Sequence, residues 1–188
     1  MLGSLIVIPI AVSYRLRSQS TGENLDRRQE GTFILLTLRP LGIAGMLGFI
    51  AFIVNPRWMA WSSVPLPVWL RWGGVAMGGF AGGLLIWTLQ SLGKNLTDTV
   101  VTRKEHNLVT RGPYRWVRHP FYDALILIVL ANSLATANWF IFLCGTLTFV
   151  LIVLRTRKEE ENLLFRFGDT YREYRERTGA FLPRIKVK

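Results

Sequence analysis

The stretch FYDALILIVLANSLATANWFIFLCGTLTFVLIVL, Phe121 to Leu154, decides the fold. Asp123 is its only charged residue. A membrane-spanning helix takes about 20 mostly apolar residues. A single helix of this length would overshoot the hydrocarbon layer. Asn132, Asn138 and the small residues between them are turn formers. The stretch therefore predicts a tight hairpin of two helices, over 121–136 and 139–154.

Three further apolar segments precede the hairpin. Val68 to Leu92 carries Gly74, Gly78 and Gly82 at four-residue spacing, with Gly79 and Gly83 alongside. Such spacing makes a small-residue stripe on which another helix can pack closely. It is not a cofactor loop, because no strand precedes it and the pattern is not GxGxxG. Thr32 to Val54 is long enough to span, with Arg39-Pro40 interrupting it and Pro40 a candidate kink. Leu2 to Tyr14 has no basic leading region and no evident cleavage site, and reads as a retained first helix. The expectation is an all-α, polytopic membrane bundle of about five transmembrane helices.

Charge agrees with that count. The chain has 188 residues, mean hydropathy +0.28 and net charge +11. Twenty of the 23 Lys and Arg lie in 15–31, 94–120 and 155–188. With five spans these three stretches share one side, which the positive-inside rule makes the cytoplasm. The excess charge is then a membrane signature, and no nucleic-acid partner is expected. Cys144 is the only cysteine, so no intrachain disulfide can form, and with only His106 and His119 besides it a zinc site is not expected.

Chemistry-bearing residues crowd two places. Both histidines fall in one cytoplasmic loop, which also holds Gly112-Pro113-Tyr114 and ends Arg118-His119-Pro120-Phe121-Tyr122. Singly these are ordinary: proline opens helices and aromatic residues line membrane boundaries. Their crowding points to a site. The second place is Arg155-Thr156-Arg157-Lys158-Glu159-Glu160-Glu161, where the last span leaves the bilayer. It reads equally as a snorkelling cap with i,i+4 ion pairs or as a carboxylate–guanidinium pair facing the loop. Beyond it Leu163, Leu164, Phe167, Tyr171 and Tyr174 recur at helical spacing. They predict an amphipathic helix, broken or capped near Gly168, that lies on the membrane surface or folds back over the loop, the second being favoured because the loop needs a lid.

Four motifs in this order, His-x-Leu-Val at 106–109, Gly-x-Tyr at 112–114, RHPxY at 118–122 and EExxLxxxFG at 159–168, resemble the isoprenylcysteine carboxyl methyltransferases and the related phospholipid methyltransferases. The resemblance covers roughly 91–185. It implies a pocket for S-adenosylmethionine made by the 94–120 loop and the C-terminal helix, without a Rossmann fold. It maps cofactor contacts to His106, Asn107, Leu108, Val109, Tyr114, His119, Pro120, Phe121, Tyr122 and Glu159, and acceptor orientation to Arg155. It departs at Thr99, where a glutamine is expected, and at Ala124, where RHPxY is often followed by x-Gly. The whole chain, 1–188, is expected to be one membrane methyltransferase domain. Residues 1–93 form helices one to three, and 94–188 the catalytic loop, helices four and five and the lid.

Methyl transfer from a sulfonium needs alignment and exclusion of water more than it needs a base. No metal is required. His119 fits a hydrogen-bonding cofactor ligand better than a base. An acceptor carboxylate is already nucleophilic and Arg155 could orient it, whereas a phospholipid amine would first need Glu159 or Glu160 to take a proton. The arginine favours a carboxylate on a lipid-borne or prenylated acceptor, reaching the site from the membrane beside Gly78 or Pro40. The alternatives are amine phospholipid N-methylation, a sterol-reductase-like enzyme using NADPH, and a non-catalytic protein whose basic loop and tail bind anionic lipid.

Overall fold

The computed structural model describes residues 32–92 and 108–184. The expected first helix, Thr99, His106 and Asn107 lie outside them. Four α-helices follow in order: α1 Thr32–Val54, α2 Val68–Leu92, α3 Pro120–Thr136 and α4 Trp139–Arg177. Short 3-10 segments cover Pro56–Ser62 and Gly112–Arg115. Among the described residues, extended pairing is limited to two isolated bridges, Ser63 with Asn138 and Val117 with Gly179.

The hairpin forms where turn chemistry predicts it. Ala137 takes a left-handed conformation (φ 50°) and ends α3. Asn138 then caps α4, its side-chain oxygen accepting from the Ile141 amide at 3.1 Å. Asn138 Nδ2 in turn donates to Ser62 Oγ at 2.8 Å, so one buried asparagine ties the hairpin turn to the loop after α1. Burying those polar atoms is tolerable only because each is paired.

The bundle is apolar outward. Leu36, Ile43, Leu47 and Ile50 on α1, Phe80 on α2, and Leu143, Leu147, Val150 and Leu154 on α4 are all exposed. A surface of this kind calls for lipid, not water. Leu36–Val54, Val68–Leu92 and Trp139–Arg177 are long and apolar enough to cross a membrane, and Pro120–Thr136 is a shorter apolar helix. At 1.5 Å per residue α3 is about 25 Å long, close to the hydrocarbon thickness of about 30 Å. Exposed Trp58, Trp61, Trp69, Trp72 and Trp139 gather at the hairpin-turn end, the usual place of an aromatic membrane belt.

The glycine stripe of α2 packs on α3. A Cβ at Gly74 would sit 2.7 Å from the Ala135 nitrogen and 2.8 Å from the Ala131 oxygen. Gly78 faces the Ala131 Cβ, whereas Gly73, Gly79 and Gly83 meet nothing within 4 Å. Nearer the other end, Leu85, Leu89 and Ala124 form a buried cluster with Leu84, Phe121 and Ile128 against it.

The last span and the first part of the amphipathic tail, expected as separate elements, are continuous as far as Gly168, where a second helix begins that ends at Arg177. Only the apolar part of α4, 139–154, reads as membrane-spanning. The run is broken at Gly168, whose backbone (φ 52°, ψ −126°) is open to glycine and costly for other residues. That break turns the tail back toward the loop.

Candidate active site

The site is built where the start of α3 meets α4 beyond the membrane. The loop 112–119 approaches α2 closely at Gly112 (φ 60°), where a side chain would collide with Ser91. Pro120 then opens α3, and its ring is fully buried. His119 precedes it with its side chain enclosed.

The tail lies over this loop and is hydrogen-bonded to it. The Arg118 and His119 amides donate to the Gly179 and Ala180 carbonyls at 2.9 and 3.0 Å, and the Gly179 amide donates to Trp116 at 3.3 Å. The Tyr174 hydroxyl donates to the Tyr114 carbonyl at 2.7 Å. Phe181 leans on the His119 ring. The expected lid therefore folds back as read, and it is latched by backbone pairing that no side-chain pattern announces.

The two glutamates divide their work. Glu160 Oε1 accepts from Arg118 Nε at 2.8 Å and lies 3.1 Å from His119 Nε2. Arg118 Nη1 also donates to the carbonyls of Arg175 and Thr178. One guanidinium thus joins the loop, α4 and the tail. Burial alone would raise the Glu160 pKa; the hydrogen bonds and charges of His119 and Arg118 outweigh it and hold the carboxyl at about 2. Glu159 instead receives the Tyr122 hydroxyl at 2.9 Å on Oε2. The Tyr122 ring stacks on His119 at 5.5 Å and 12°. Tyr114 lies within electrostatic reach of Glu159: burial first, then Glu159, pushes its hydroxyl upward, so it stays protonated.

Of the expected site residues, Tyr114, His119, Tyr122 and Glu159 come together, and Arg155 lies one helical turn before Glu159 within electrostatic reach of Tyr122. Phe121 turns the other way, onto the α2–α3 core. Pro120 is enclosed at the helix start, and Leu108 and Val109 are half-buried ahead of the loop. His106 and Asn107 lie outside the described residues. Arg118 was legible only as a motif letter, and Glu160 only as the second carboxylate of a run. Nothing in the spacing marked them as a clasp.

An apolar cavity of ≈ 270 Å³ lies directly behind the site. Gly42, Gly45 and Phe49 of α1, Leu125 and Val129 of α3, and Ile152 of α4 are among its walls. Gly78 also lines it, as does Leu41 next to Pro40. Leu125 and Ile152 stand three residues from Tyr122 and Arg155, so the cavity begins about one helical turn from the polar cluster.

The family model that matches is that of the isoprenylcysteine carboxyl methyltransferase family, over residues 75–165. That span contains the loop, α3, the membrane part of α4 and both glutamates. The resemblance read from the four motifs is borne out. A protein-S-isoprenylcysteine O-methyltransferase of Homo sapiens is 32% identical over 133 residues, 67% of this chain and 45% of its own length. A methanethiol S-methyltransferase of Mycobacterium tuberculosis is 37% identical over 70 residues, 37% of this chain and 28% of its own. The chain spans about half the length, or less, of these curated relatives. The solved structure of the eukaryotic intramembrane Ras methyltransferase ICMT (isoprenylcysteine carboxyl methyltransferase) matches with TM-score 0.61 and 21% identity, over 90% of this chain and 60% of that one. This likeness establishes the fold: an all-α, integral-membrane bundle without a Rossmann sheet.

Proposed function

We propose that this protein transfers a methyl group from S-adenosylmethionine to a lipid-borne acceptor at the cytoplasmic face of the membrane, with a carboxylate such as that of a prenylated cysteine as the acceptor group. The observation that carries this reading is the apolar cavity whose wall residues Leu125 and Ile152 lie about one helical turn along α3 and α4 from Tyr122 and Arg155. An apolar chamber inside a membrane bundle suits the hydrocarbon tail of a lipid-borne acceptor.

The residues present fit the donor. Glu159 has one oxygen engaged by Tyr122 and a second able to hold a hydroxyl or amino group. Tyr114 and Tyr122 offer aromatic faces, which favour a cation. When bound, the donor supplies a methyl already activated by the sulfonium charge. Leu108, Val109, Tyr114, His119, Pro120, Phe121, Tyr122 and Glu159, with His106 and Asn107, are the proposed cofactor set. Pro120 and Phe121 serve it by fixing the start of α3. Arg155, between cavity and carboxylates, orients the acceptor. The lid shields the site from water and keeps Glu160 from wandering off the loop. All 188 residues form one unit in this reading, with helices one to three in 1–93 and the catalytic half in 94–188.

A thiol acceptor is the second reading, favoured by the likeness to methanethiol S-methyltransferase. The test is incubation of purified, detergent-solubilised protein with methyl-labelled donor and three acceptors: a prenylated cysteine, a small thiol and an amine phospholipid. Label released from the prenylated cysteine by mild base, as an ester would be, is the expected result. Label on the thiol or the amine alone would replace the carboxylate reading. Failure to bind S-adenosylhomocysteine would remove the methyltransferase reading altogether.

A further inference from the structure

Tyr171 has the largest fully buried side chain of the described residues, at 1% exposure, yet among those residues its hydroxyl has no hydrogen-bond partner. Buried hydroxyls are almost always paired, because leaving one unpaired forfeits its hydration without return. Tyr171 stands one turn beyond Gly168, where the tail bends back. Its ring packs against that of Tyr174, centroids 6.0 Å apart. The charged and polar groups that act on the hydroxyl are Glu160, Arg118, Glu159 and Tyr174. It is therefore buried in the neighbourhood of the carboxylate pair. Glu160 already accepts from Arg118 and sits against His119, and Glu159 from Tyr122, while the Tyr174 hydroxyl is given to Tyr114. Tyr171 hydrogen-bonds to none of them. Burial and then the charge of Glu160 push the phenol upward, so it remains a neutral donor.

We propose that the Tyr171 hydroxyl is a binding group for the nucleoside sulfonium donor, contributed by the lid, and that it gains its hydrogen-bond partner only when the donor occupies the site. The inference rests on the methyl-donor reading above. It makes the lid part of the donor site as well as its cover, since Tyr171 is carried on the segment that Gly168 redirects. Binding and lid closure are then coupled: donor and closed tail each favour the other.

Tyr171→Phe removes the hydroxyl and keeps the ring, so it separates the two roles. In the protein without ligand the variant should unfold at the same temperature as the parent or slightly above it, because an unpaired buried hydroxyl is lost. Its affinity for S-adenosylhomocysteine, measured calorimetrically, should fall roughly five- to tenfold, the usual value of one hydrogen bond. The ligand should also raise its melting temperature less than it raises the parent's. Equal affinity in parent and variant would overturn the proposal while leaving the methyl-donor reading intact. A lower melting temperature without ligand would also overturn it, by showing that the hydroxyl is paired within the protein. If the parent itself fails to bind S-adenosylhomocysteine, the donor reading falls and this inference with it.

Discussion

Arg118 Nε lies 2.8 Å from Glu160 Oε1 across 42 residues of sequence, and the same guanidinium reaches the carbonyls of Arg175 and Thr178. Loop, helix and tail thus meet at one side chain. Its loss strands a carboxylate in a half-buried setting and frees the tail.

Arg118→Ala should destabilise the folded protein by about 2–3 kcal/mol, the usual cost of removing a partner from a buried charged hydrogen bond. The tail 178–184 should become sensitive to protease before the membrane helices do. Thermal unfolding in detergent and timed proteolysis check both. Equal cleavage rates in parent and variant would show that the backbone pairing to Gly179 and Ala180 suffices alone.

Glu160 carries a pH signature. Its folded pKa, about 2, is below the ordinary 4.5, so its contribution to stability is complete above about pH 4.5 and is lost as pH falls toward 2. Glu160→Gln should melt below the parent at neutral pH, and the gap between them should close on acidification through that window. A gap that stays constant from pH 6 to pH 2.5 would contradict the clasp.

The glycine stripe gives a paired test on α2. A Cβ at Gly74 meets α3 backbone at 2.7–2.8 Å, whereas one at Gly73 meets nothing. Gly74→Ala should cost about 1–3 kcal/mol through overpacking. Gly73→Ala should be neutral or stabilising by up to about 1 kcal/mol, from helix propensity. Unfolding midpoints of the two variants should therefore move in opposite directions, or one should stay still.

The cavity can be filled without disturbing the carboxylates. Gly42 lines it and has open space around its missing Cβ. Gly42→Leu should raise KM for a lipid acceptor at least about tenfold, since several methylenes lose their place at about 0.8 kcal/mol each. S-adenosylhomocysteine affinity should not change. Unaltered acceptor kinetics would place the lipid elsewhere.

Much of this arrangement is local and could be read from the chain. Asn138 and the length of the 121–154 run placed the hairpin turn, because turn residues and span length act within a few residues. Gly74 and Gly78 announced the close face of α2, and Gly168 the break in the tail. The four motifs, by resemblance, pointed to the loop and the acidic exit as one site, and Tyr114, His119, Tyr122 and Glu159 do meet there.

Tertiary structure alone decided the division of labour between Glu159 and Glu160. Adjacent residues on a helix point about 100° apart. Which one faces Tyr122 and which faces Arg118 and His119 depends on how α4 is rotated against α3, and no spacing in the chain specifies that rotation. The cavity is likewise a gap between four helices, belonging to none of their sequences. Tyr171 read as one more apolar rung of an amphipathic helix. Only the bend at Gly168, beyond which its hydroxyl is buried with no hydrogen-bond partner among the described residues, distinguishes it from the residues around it.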